Sequence, residues 1–173
     1  LVNGQRVYLG LNKWIGEYEK IKDFNQFPIP FKCIAADLIT GNEVILDKGS
    51  ITKAIRASIS IPSIFKPVEW GDSLLVDGGV INNLPVDVVK KMGADIIIAI
   101  DVATSPSFEI NYNVIDVVAR SVLINAENRK KEQLKDADIV ITPNLEKYGW
   151  FDFDNTLFSN MVHEGYKGAI NKI

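Results

Sequence analysis

The stretch Leu74-Leu75-Val76-Asp77-Gly78-Gly79-Val80-Ile81-Asn82-Asn83-Leu84-Pro85 decides how the chain is read. An apolar strand, Leu74 to Asp77, stops at two glycines. The strand end fixes the Asp77 carboxylate in space. Gly78 and Gly79 let the backbone turn sharply and let another group approach with no Cβ in the way. Pro85 stands where a helix can begin and Gly93 where it should end. Between them Val86, Val89 and Met92 recur near helical spacing. Ile96-Ile97-Ile98-Ala99-Ile100 follows, almost unbroken in β-branched residues, the pattern of a strand covered on both faces. Ile139-Val140-Ile141 reads as a further strand. This order predicts that the strands near 74–77, 96–100 and 139–141 run parallel, joined by right-handed crossovers. In such sheets ligands and reacting groups collect beyond the carboxyl ends of the strands. Two readings are open for Asp77 at this point: an acid that organises a strand-to-loop turn, or one that works on a ligand.

Upstream, Phe31 to Ile39 reads as a strand, Thr40-Gly41-Asn42 as a turn, and Glu43 to Leu46 as the antiparallel partner. Ser50 can cap a helix running roughly to Ser60 by accepting from a first-turn N–H. Pro62 and Pro67 then interrupt regular structure. Downstream, Asn113 to Ala137 is the longest helical pattern. Val114, Ile115, Val118, Val122 and Leu123 make a wide apolar face, expected to be deeply buried, and the second half, Glu127 to Lys135, is charged. Asp154 or Asn155 can cap a last helix running to the C-terminus.

Composition sets outer limits. A length of 173 residues suits one domain. A net charge of −3 excludes a strongly basic nucleic-acid binder. A hydrophobic content of 47% excludes general disorder. One cysteine, Cys33, excludes an internal disulfide and a cysteine zinc cluster, and reads as a small core residue. No apolar run reaches roughly 18 residues, the length a membrane-crossing helix needs. The chain begins at Leu1 with no visible signal peptide, so a segment cut from a longer protein is expected.

Four linked blocks are more specific than any lone motif. They are Ala54 to Val68 with its Arg56-Ala57-Ser58 and Ile61-Pro62, Asp77-Gly78-Gly79, Asn82-Asn83-Leu84-Pro85, and Met92 to Val102. With Phe31 to Thr40 in front, they resemble the patatin-like phospholipase family over roughly residues 27 to 103. The resemblance implies a lipid acyl hydrolase that uses a Ser–Asp dyad, with no histidine between the two and no metal or organic cofactor. Asp77 matches the dyad acid, supported by Gly78 and Gly79. Its implied role is general base toward the serine, then general acid toward the leaving alcohol. Partial desolvation would raise its proton affinity and help it in both roles.

The family's serine lies in a Gly-x-Ser-x-Gly elbow. No serine of this chain stands in one: Ser50 follows Gly49, and Ser58 lies between Ala57 and Ile59. The glycine-rich oxyanion loop is missing as well. The expectation is that residues 1–173 are the C-terminal part of a single patatin-like domain, inactive alone, and that the fold is a partial three-layer α/β/α sandwich with a mainly parallel central sheet. An incompletely covered sheet is expected to expose apolar surface and to self-associate, or to use Leu1 to Ile29 as a partial cover. The implied substrate is a phospholipid or other lipid ester, with peripheral membrane contact and no nucleic acid among the partners.

Rival readings accompany this one. Asp77 followed by His163 has the chain order of a conventional α/β-hydrolase, but His163 sits inside an apparent helix. A non-catalytic lipid- or protein-binding segment could use Trp14, Trp70, Tyr148, Trp150, Phe151, Phe153 and Phe158, residues that equally suit core packing. Asp152-Phe153-Asp154-Asn155 resembles the opening of a metal loop yet lacks its glycine and distal Glu, which leaves helix capping. Asp37 reads as an anchor of turns, Arg56 and Ser58 as local hydrogen-bonding residues that could border the site, and Arg129-Lys130-Lys131 as a solvated helix face. Ile59, Ile61, Ile64 and Phe65 could wall an acyl-chain groove or pack inward.

Overall fold

The hairpin foreseen around Gly41 forms one side of a sheet. In a computed structural model, which describes residues 2–102, 114–146, 148 and 154–172 (for 114–123 the backbone only), β1 (Cys33–Asp37) pairs antiparallel with β2 (Glu43–Leu46), Ala35 opposite Val44. Gly41 takes φ +72° at the turn, a conformation open to glycine. The chain divides into two units, residues 1–83 and 84–173.

In the first unit α1 (Gln5–Ile15) precedes β1 and β2. Next come α2 (Ile51–Ser58), β3 (Val68–Trp70) and β4 (Ser73–Asp77). The sheet order is β2-β1-β4-β3, and every pair is antiparallel. This corrects the parallel placement expected for the 74–77 strand. The reason is the length of the connections. Residues 71–72 alone join β3 to β4, and a parallel pair needs a crossover of a dozen or more residues. Gly71, at φ +58°, makes that tight turn possible.

β1 is buried at all five positions. Its small residue Ala35 lets Ala54 and Ala57 of α2 come close, and Phe24, Phe27, Cys33, Leu46, Ile51 and Leu75 complete the core. Phe24 and Phe27 stack at 5.3 Å between ring centroids. Ser50 caps α2 as its sequence suggests, its Oγ accepting from Lys53 N at 3.1 Å, though the helix ends at Ser58. Cys33 is buried, and burial pushes its thiol pKa up to about 12, so it is a core residue and not a nucleophile.

In the second unit Pro85 leads into α3 (Val86–Lys91), and Gly93 follows at φ +87°. β5 (Ile98–Ile100) and β6 (Ile139–Ile141) pair parallel, Ile98 opposite Ile139, so parallel pairing holds here. α4 (Val114–Gln133) links them. Val86, Ile97 and Ala99 form the buried cluster. Ile96, Ile98 and Ile100 are exposed, so among the described residues of this unit the strand is covered on one face. Val88, not Val89, joins Val86 in the interior. The expected apolar face of Val114, Ile115, Val118, Val122 and Leu123 lies outside the described side chains. Lys130 departs from the solvated reading: it is 5% exposed and pairs with Asp101 at 3.0 Å and Glu127 at 3.2 Å. Asp154 caps α5 (Asn155–Ile170), accepting from Thr156 N at 2.8 Å.

The architecture is thus mixed α/β, with an antiparallel four-stranded sheet and a parallel pair. Among the described residues no helix is long and apolar enough to cross a membrane.

Candidate active site

β4 carries Asp77 to the edge of the apolar core. Leu75 and Val76 are buried, which fixes the strand and its last residue, and Asp77 lies opposite Ala35 of β1. The chain then leaves the sheet in a single 3₁₀ turn, Gly78–Val80. Gly78 crosses directly over β1, and a Cβ there would collide with the Ile34 carbonyl. Only glycine permits that approach, which is the use foreseen for it. A Cβ on Gly79 would lie 2.9 Å from Asn83 Oδ1 and 3.1 Å from Asp77 Oδ1.

The two oxygens of Asp77 differ. Oδ1 accepts from Gly79 N at 2.7 Å. Among the described residues Oδ2 has no hydrogen-bond donor and the carboxylate has no ion-pair partner. Burial raises the Asp77 pKa above the ordinary aspartate value, opposed by the Gly79 N–H. The carboxylate is held at one oxygen, partly desolvated, and among the described residues unbonded at the other. It can take a proton from a hydroxyl placed at Oδ2, and can return one.

Other candidates fall into place around it. Asp37 is bonded at both oxygens: it accepts from Ile39 N at 3.1 Å, Leu74 N at 3.1 Å and Thr40 Oγ1 at 2.9 Å, an anchor of turns as its sequence suggests. Arg56 is buried and donates to Ser60 Oγ, and Ser60 O accepts from Asp77 N at 3.0 Å. Arg56 thus bonds locally to Ser60, while Ser58 ends α2. Of the proposed groove walls, Ile59 is exposed, and Phe65 stacks on the Arg56 guanidinium at 4.7 Å. Val2 N donates to Ile64 O at 2.8 Å beside them. His163 is exposed on α5. Trp14 and Phe158 are exposed, whereas Trp70 packs on the core. Trp150, Phe151, Asp152 and Phe153 lie outside the described residues.

Two residues escaped the sequence reading. Ser60 joins Arg56 to the Asp77 strand, and its signal was the i, i+4 spacing from Arg56. Asn82, 3% exposed, donates to Glu43 Oε1 at 3.0 Å and ties the loop after the glycines to β2. Its place in Asn82-Asn83-Leu84-Pro85 was noted without a role.

The family model of patatin-like phospholipases matches residues 8–90, the span that contains β1, α2, β4 and Asp77. Over that span, just under half of the chain, the sequence is similar to the patatin-like phospholipases. An uncharacterized NTE family protein of Mycobacterium tuberculosis is 52% identical over 62 residues, 36% of this chain and 11% of the relative. A lysophospholipase of Debaryomyces hansenii is 27% identical over 196 residues, 98% of this chain and 12% of the relative. Mouse patatin-like phospholipase domain-containing protein 7 is 35% identical over 97 residues, 55% of this chain and 7% of the relative. The chain thus spans no more than 12% of the length of any of these three relatives.

Proposed function

We propose that this chain supplies the acid–base member, Asp77, of a Ser–Asp dyad that hydrolyses lipid esters, phospholipids among them. The reading rests on one observation: a partly desolvated carboxylate, anchored through one oxygen by Gly79 N and unbonded at the other among the described residues, at a strand end within a patatin-like segment. Oδ2 accepts the proton of a serine hydroxyl as that oxygen attacks the ester carbonyl. The protonated Asp77 then gives the proton to the departing alcohol, leaving an acyl-serine. Water attacks the acyl-serine with Asp77 again as base, which frees the fatty acid and restores the serine. Burial strengthens the carboxylate as a base toward a weakly acidic hydroxyl. The serine and the oxyanion donors come from polypeptide outside these 173 residues, since no Gly-x-Ser-x-Gly turn occurs within them. Residues 1–173 alone therefore have no esterase activity.

The test is turnover of a lysophospholipid by the full gene product with Asp77→Asn, which keeps size and shape but cannot take the proton. Loss of turnover supports the reading, and retained turnover removes Asp77 from it.

A second reading has an observation of its own. Phe158, Val162, Tyr166 and Ile170 recur every four residues on α5 and all are exposed, a stripe suited to a lipid surface or a partner. Under that reading the segment docks and does not react, and Asp77→Asn changes neither lipid binding nor turnover.

A further inference from the structure

A cavity of about 510 Å³ opens in the first unit where the start of α1 meets α2 and β3, and hydrolysis at Asp77 makes no use of it. Gly4, Gln5, Lys53, Arg56, Lys66 and Glu69 are among its lining residues, and Asp77 is not. Three of these side chains are cations and one is a carboxylate, within a chain of net charge −3.

Among the described residues none of the three cations forms an ion pair. The Lys53 ammonium lies over the Trp70 ring, 5.4 Å from its centroid. Arg56, 5% exposed, bonds only neutral acceptors: Ser60 Oγ, and the carbonyls of Asn3 and Lys66 at 3.5 and 3.4 Å. A buried guanidinium is ordinarily retained where an anion compensates it, and its planar fork matches the oxygens of phosphate. The packing holds it in place from both sides. Phe65 stacks on one side, and Gly4, at φ +69°, lies so close that a Cβ there would collide with the guanidinium. α1 begins at the same spot with no side-chain cap, which adds free backbone N–H donors to the cations.

We infer that this cavity binds a phosphate dianion through Lys53, Arg56 and Lys66. Three cations against one carboxylate leave two positive charges, the number a dianion neutralises. Glu69 opposes binding and selects against weakly charged ligands. Ser60 ties Arg56 to the Asp77 strand, so an occupied cavity firms the support of that strand end. The inference does not rest on hydrolysis at Asp77.

The test is an NMR titration of the full gene product with inorganic phosphate, against chloride at equal ionic strength. Phosphate is expected to shift the Gly4 and Gln5 amides saturably, and chloride is not. Lys53→Gln and Lys66→Gln each weaken phosphate binding by about tenfold, with an unchanged melting temperature. Glu69→Gln strengthens it. Glycerol 3-phosphate and glycerophosphocholine identify the source. Tighter binding of glycerol 3-phosphate than of phosphate assigns the cavity to a lipid headgroup monoester. Binding of phosphate alone assigns it to the free ion. Absence of a saturable shift, equal response to chloride, or unchanged affinity in both lysine variants overturns the inference.

Discussion

Asp37 and Asp77 end neighbouring antiparallel strands, β1 and β4, at opposite margins of one sheet, and they are chemically opposite. Both close an apolar strand and both precede a turn. Asp37 collects the amides of Ile39 and Leu74 and the hydroxyl of Thr40, which outweigh burial and hold its pKa below the ordinary aspartate value. Asp77 collects one amide, Gly79 N, and burial prevails, so its pKa lies above that value. A carboxylate bonded at both oxygens stabilises a turn. One left half-bonded costs stability and keeps an oxygen for a proton.

The largest effect expected from this contrast is on turnover. Asp77→Asn in the full gene product should reduce lysophospholipid hydrolysis by roughly a thousandfold, the range of general acid–base catalysis, as measured by fatty-acid release. Gly78→Ala should come next. Its Cβ meets the backbone of the central strand, which cannot move aside, so a loss of about 2–3 kcal/mol in denaturant unfolding is expected.

The pH dependence of the two aspartates should have opposite signs. Asp37 has a lowered folded pKa, so its contribution is present above the ordinary aspartate value and is lost as pH falls through the folded one. Asp37→Asn should lower the melting temperature at neutral pH and less so in acid. Asp77 has a raised folded pKa, so stability declines as pH rises from the ordinary value through the folded one. Asp77→Asn should remove that decline and raise the melting temperature at neutral pH. The smallest effect belongs to a control away from both acids: Ser50→Ala, losing the α2 cap, should cost about 1 kcal/mol and leave turnover unchanged.

How much of this was legible follows from what each signal depends on. Gly41, Ser50, Pro85, Gly93 and Asp154 act through backbone geometry within a few residues, and each marks the feature its type implies. The direction of β4 depends on β3, and β3 was passed over because Pro67 immediately precedes it. Val68-Glu69-Trp70-Gly71-Asp72-Ser73 nevertheless carries a two-residue turn signal, and with it the antiparallel sheet follows. Lys130 was read from its neighbours in sequence, whereas its burial depends on Asp101, 29 residues away. For the candidate site, Asp77 with its two glycines reads by itself as a turn or as an acid, and the resemblance of the linked blocks is what singles it out. Ser60 and the cationic cavity did not stand out, since they depend on where α1 and α2 come together.

The most direct measurement compares Asp77→Asn and Asp37→Asn in the full gene product, reading turnover per folded molecule together with melting temperature. The account predicts a crossed result: Asp77→Asn loses turnover and keeps or gains thermal stability, while Asp37→Asn loses thermal stability and keeps its turnover per folded molecule. Undiminished turnover in Asp77→Asn would contradict it.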